Sequence, residues 1–89
     1  MTESERAEAR EAEARDLRNR LVAEYHELTM KIVKAEAFFH MENARPYASR
    51  TSREANSVLG HQIEAMKAYR SNLMKRMAML DIDLKKTVD

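Results

Sequence analysis

Residues 21–39 read LVAEYHELTMKIVKAEAFF, residues 59–77 read LGHQIEAMKAYRSNLMKRM, and ENARPYASR (42–50) lies between them. In the first stretch, extended back by one turn, Leu17, Leu21, Tyr25, Leu28, Ile32, Ala35 and Phe39 recur every three or four positions. That spacing lines one face of an α-helix, because side chains three and four apart stack above one another. The second stretch, extended at both ends, repeats the pattern with Ala55, Leu59 (or Val58), Ile63, Met66, Tyr69, Leu73, Met77, Leu80 and Leu84. Two amphipathic stripes joined by a short segment predict a long antiparallel helical hairpin: helix one over about 17–42, loop over about 43–51, helix two over about 52–86.

The segment between the stripes explains the turn. Pro46 disfavours α geometry at Arg45 and lacks the N–H a helix would use, so helix one should end before it. Thr51-Ser-Arg-Glu54 matches a capping box, in which a hydroxyl and a glutamate satisfy each other's end of the first turn, with Ser49 and Ser52 as competing caps. Gly60 falls inside helix two at a cost of about 1 kcal/mol relative to Ala, which points to a close approach of helix one or a slight bend. Ahead of the hairpin, residues 1–16 alternate acid and base with almost no large apolar side chain. They read as a solvated arm, helical or frayed, held by pairs such as Glu11/Arg15.

Composition agrees with this architecture. An 89-residue chain allows one small domain, and a single glycine and a single proline cannot punctuate a sheet. Charged residues make up 35% and the helix formers dominate, as in long helices and coiled coils. Without cysteine there is neither a disulfide nor a thiolate metal site. No apolar run reaches membrane-spanning length and the N-terminus is charged, so a soluble cytosolic protein without a membrane role is expected. A net charge of +1 argues against a duplex-DNA binder.

One intramolecular seam cannot use all the apolar groups. Val22, Met30, Val33, Phe38, Met74, Met79 and Ile82 lie off the main stripes, which predicts a homo-oligomer, by default a dimeric four-helix bundle. The residues expected in the core or between subunits are Leu21, Tyr25, Leu28, Ile32, Phe38, Phe39, Leu59, Ile63, Met66, Leu73, Met77 and Leu80.

Catalytic chemistry finds no support. His26, His40 and His61 are too scattered for a metal site, and Asp81 and Asp83, two apart, point to different sides of a helix. With one glycine there is no phosphate-cradling loop. No enzyme activity, metal or cofactor is therefore expected. The turn is more promising: Arg45, Tyr47, Arg50 and Arg53 cluster at the start of helix two, where guanidiniums, free N–H groups and the helix dipole favour a phosphate or carboxylate, and Tyr47 offers a stacking face. Lys31, Lys34, Tyr69 and Arg76 are further candidates along the helices, each with a structural reading as a surface pair or a side chain lying over the seam.

Leu21, Glu24, Leu28, Lys31, Ile32, Lys34 and Phe38, followed by Gln62, Ile63, Ala65, Met66, Tyr69, Leu73 and Arg76, resemble the pattern of a family of short tailed-phage accessory proteins named after a gene product of a crAss-type phage. The resemblance covers about residues 17–80, and its most specific part is the Gln-x-x-Ala-Met-x-x-Tyr segment. The longer charged arm and the Arg-rich loop depart from the family pattern. The resemblance implies a small helical phage protein in the host bacterial cytoplasm with no assigned enzyme activity. Its architecture is similar to that of phage helical sponges that oligomerise and sequester the nucleotide signals of bacterial immunity. Three functions follow as expectations: sequestration of a nucleotide-derived signal; inhibition of a host defence protein, CRISPR components included, by steric block; or a structural role in phage assembly.

Overall fold

The computed structural model describes the backbone of residues 2–88 and the side chains of residues 2–81, so Ile82, Asp83 and Leu84 lie outside the described side chains. Two helices, α1 (Glu3–Asn43) and α2 (Arg50–Val88), fold back on each other as an antiparallel hairpin. The charged arm is continuous with α1. Thr2 caps it, with Oγ1 accepting the Glu5 N–H at 3.2 Å, and Glu3 and Glu5 sit at the positive end of the helix dipole.

At the turn, Ala44 and Arg45 donate their N–H groups back to the carbonyls of His40 and Glu42, and the chain leaves α1 just before Pro46. The expected Thr51–Glu54 capping box does not form. Ser49 is the cap instead, its Oγ accepting the Ser52 N–H at 3.1 Å and its carbonyl the Arg53 N–H at 3.0 Å. Glu54 turns away to pair with Arg50. A cap two residues earlier lengthens α2 and shortens the loop to residues 44–49.

The core is a single seam. Leu21 and Ile32 of α1 and Ile63 and Leu73 of α2 are buried, flanked by half-buried Tyr25, Leu28, Phe39, Leu59, Met66, Met77 and Leu80. Two expected members of the α2 stripe turn away from the seam: Ala55 is exposed with Asn56 buried in its place, and Tyr69 stands at the seam's edge with half-buried Arg70 in its place. Phe38, expected in the core or between subunits, is 50% exposed on the far flank of α1. Steps of three and four alternate in a helix, and at Met66 the stripe takes the four-residue step. Register is pinned at three levels by pairs whose numbers add to 99: Arg18 with Asp81, Phe39 with Gly60, Asn43 with Asn56. The resulting rod measures 69 × 16 × 15 Å, with a radius of gyration of 20.1 Å. A compact chain of this length would have about 12 Å.

Gly60 marks a close approach of the two helices. A Cβ there would stand 2.9 Å from Cε2 of Phe39, nearer than side chains tolerate. Gly60→Ala gains about 1 kcal/mol of helix propensity and sets it against roughly 1–3 kcal/mol of overpacking. A lower melting temperature is expected for Gly60→Ala. In a Phe39→Leu background the same change should become stabilising, because the ring edge has gone. A single Gly60→Ala variant that melts above the wild type would mean that the ring swings aside freely and the contact does not fix the register.

Candidate functional site

The turn end of the hairpin holds a pocket of about 190 Å³, between the last turn of α1 and the first of α2, lined by Glu42, Asn43, Arg45, Ser52, Arg53 and Asn56. Its floor is the one buried polar side chain among the described residues: Asn56, 6% exposed, on the seam side of α2 one heptad before Ile63. Its Nδ2 donates to the Phe39 carbonyl at 3.1 Å and to Oδ1 of Asn43 at 2.7 Å. The side chain thus ties the C-terminal turn of α1 to the N-terminal turn of α2. A carbonyl can only accept, so the Phe39 bond fixes which end of the amide is the nitrogen. Asn56 Oδ1, buried, has no hydrogen-bond partner. An acceptor left so costs about 1–3 kcal/mol.

Of the four turn residues named from sequence, the structure brings Arg45 and Arg53 to this pocket and leaves Tyr47 and Arg50 outside it. Arg45 is held by Glu42 through both carboxylate oxygens, at 3.0 and 3.2 Å. Arg50 points along α2 to Glu54, and Tyr47 is 95% exposed on the loop. No carboxylate among the described residues pairs with Arg53. Lys31 and Lys34 sit exposed on α1, well removed from the turn.

Tyr69 and Arg76 belong to a different neighbourhood, in the half of the hairpin away from the turn. The Tyr69 hydroxyl donates to the Glu24 carboxylate across the seam, with the Arg76 charge nearby. That bond, with some desolvation, holds the phenol above its ordinary range. Between the two neighbourhoods Lys67 bridges to Glu36 at 2.7 Å and faces Glu64 on its own helix. The hydrogen bond between Lys67 and Glu36 lowers the carboxyl's pKa and raises the ammonium's. Asn56 was the residue missed from sequence. Its signal was a polar side chain in register with an apolar stripe. Among the described residues no group of histidines and acids has metal-binding geometry, and no helix is long and apolar enough to cross a membrane.

A family model described as Sequestin matches residues 15–79, a span that contains the hairpin turn, its pocket and the Tyr69–Glu24 and Lys67–Glu36 pairs and leaves out residues 1–14 of the charged arm and Asp81. No curated protein and no solved structure matches the chain.

The Glu36–Lys67 and Glu24–Tyr69 pairs contribute to the stability–pH curve with defined signs. Glu36, with its lowered pKa, contributes above the ordinary carboxylate range and loses that contribution as pH falls through the lowered value. Lys67 and Tyr69, both raised, contribute below their ordinary values and lose their share as pH rises through the raised ones. Melting curves between about pH 7 and pH 11 should therefore fall on the alkaline side, and Tyr69→Phe should flatten part of that fall. Superimposable profiles for Tyr69→Phe and wild type would show that the Tyr69–Glu24 bond does not hold the seam in solution.

Proposed function

The chain belongs to the Sequestin family, and from that premise we propose that it binds and sequesters a nucleotide-derived signal of bacterial immunity, acting as a homo-oligomer in the cytoplasm of a phage-infected host. The family match carries this reading, because it spans the whole turn and most of both helices. A sequestering protein needs affinity and abundance rather than chemistry. It returns its ligand unchanged.

Two features of the molecule support the reading. The first is surface. The chain exposes 7100 Å², whereas a compact protein of 10.4 kDa would expose roughly 5,400 Å² by the usual scaling. The excess is comparable with the roughly 1,600 Å² that a standard protein interface buries from its two partners together. Much of it is apolar: Met30, Val33, Phe38, Met41, Met74 and Met79 are each half-exposed or more. Along α1, Met30, Val33, Ala37 and Met41 follow at spacings of three and four on the side opposite Leu28, Ile32 and Phe39, so the helix is apolar on two faces. One face makes the seam, and a second copy is the proposed occupant of the other. The second feature is charge. Arg45 and Arg53 beside the positive end of α2 suit a phosphate, and oligomerisation would multiply such sites.

The test is a thermal-shift panel of cyclic di- and trinucleotides and ADP-ribose derivatives on the full chain. A ligand present at a hundred times its Kd adds about 2.7 kcal/mol, which for a domain of this size raises the melting point by roughly 10 °C or more. One nucleotide class should do this, and the ligand recovered after heat denaturation should be chemically intact. A recovered product instead of the ligand would make the protein an enzyme. If no nucleotide shifts the melting point while pull-down from host lysate returns one defence protein in stoichiometric amount, steric block replaces sequestration.

A further inference from the structure

We propose that the pocket at the hairpin turn is the ligand seat, and that it takes a phosphorylated sugar: the phosphate against Arg45, Arg53 and the first turn of α2, and a hydroxyl of the same ligand donating to Oδ1 of Asn56. The identification of this sugar phosphate with part of a nucleotide rests on the sequestration reading. The seat itself rests on the geometry of the turn.

Asn56 carries the inference. Both hydrogens of its amide are engaged, by the Phe39 carbonyl and by Asn43, so toward a ligand the side chain can only accept. Stapling the two helices accounts for that nitrogen and leaves the oxygen unexplained. Oδ1 is buried, unpartnered, and belongs to a residue that lines the pocket. A fully ionised phosphate or carboxylate oxygen can only accept and so cannot satisfy it. A hydroxyl or N–H can. The other side of the pocket has the opposite character. Arg53 is a donor with no carboxylate partner among the described residues. Arg45 presents whatever hydrogens Glu42 leaves unused. The Ser49 cap takes the amides of Ser52 and Arg53, while those of Arg50 and Thr51, the first two of the helix, lie outside these bonds.

An anion and a donor held a few ångströms apart on one small scaffold describe a sugar phosphate better than a bare anion. The pocket's 190 Å³ is below the roughly 300–1,000 Å³ of sites that enclose a whole small molecule, so it grips one end of a ligand. Oδ1 is closed to bulk water in the unliganded chain, so the seat requires side chains lining the pocket to shift as the ligand enters.

The experiment is an NMR titration of the ¹⁵N-labelled full chain with ribose 5-phosphate, and separately with sulfate, an anion without a proton to donate, at matched ionic strength. Ribose 5-phosphate should shift the Asn56 side-chain amide together with the backbone amides of Arg50 to Arg53, saturably. Sulfate should shift the backbone amides only, and more weakly. Arg53→Gln, an exposed substitution with no part in the seam, should weaken ribose 5-phosphate at least tenfold while leaving the circular dichroism unchanged. The seat is wrong if ribose 5-phosphate leaves Asn56 unmoved, if sulfate moves it equally, or if Arg53→Gln binds like the wild type. A third titration, with whichever nucleotide stabilises the protein, separates this inference from the reading beneath it. Nucleotide shifts confined to the Tyr69 and Lys31 regions overturn the turn as the nucleotide's seat and keep sequestration. Ribose 5-phosphate binding at Asn56 without any nucleotide binding keeps the seat and overturns sequestration.

Discussion

Everything in this molecule depends on one apolar seam, in which Leu21 and Ile32 meet Ile63 and Leu73 between two helices of about forty residues each. A seam is a narrow core. It has length but no depth, so each helix buries one stripe and shows the rest of its circumference to the surroundings. Specificity along it comes from a few discrete contacts: the bare backbone of Gly60 under the Phe39 ring, the Asn56 amide on the Phe39 carbonyl, and the Arg18–Asp81 pair near the far end. A slip of one turn would break all three together. The surface ion pairs add little by themselves, since exposed pairs are worth about 0–1 kcal/mol.

The same register builds the turn pocket. Placing Gly60 against Phe39 brings Asn56 beside Asn43, and Asn56 then closes the space beneath Arg45 and Arg53. The polar floor of the pocket is thus also a fastener of the fold, with one side chain serving both. Tyr69 with Glu24, and Lys67 with Glu36, are fasteners of the same kind, without the concavity of the turn.

The hairpin was legible in the sequence because its evidence is periodic: two stripes, one proline between them, and a lone glycine where two helices had to touch. The finer placements were not periodic and so were not legible. Tyr69 and Arg70 both satisfy three-or-four spacing from Met66, and the helix phase alone decides which one faces the seam. Ser49, Thr51 and Ser52 can all cap, and the loop's path from Pro46 selects Ser49. At the site, the cationic turn could be read from composition along the chain. Which arginines converge there depends on local partners: Glu54 draws Arg50 away, while Arg45 and Arg53 stay. Asn56 was missed, although a polar residue in an apolar register was a signal for it, and its orphaned oxygen needed the three-dimensional arrangement.

The second apolar face of α1, with Met30, Val33, Ala37 and Met41, is the observation on which the proposed second copy rests, because one narrow seam leaves this surface exposed. The most direct measurement is solution mass by sedimentation equilibrium across micromolar concentrations, with helicity followed on the same samples. The expected result is a dimer or larger integral multiple of 10.4 kDa, losing helicity as it dissociates on dilution. A fully helical 10.4 kDa monomer that unfolds cooperatively and independently of concentration would show that the single seam suffices, and that the outer face of α1 has some other purpose.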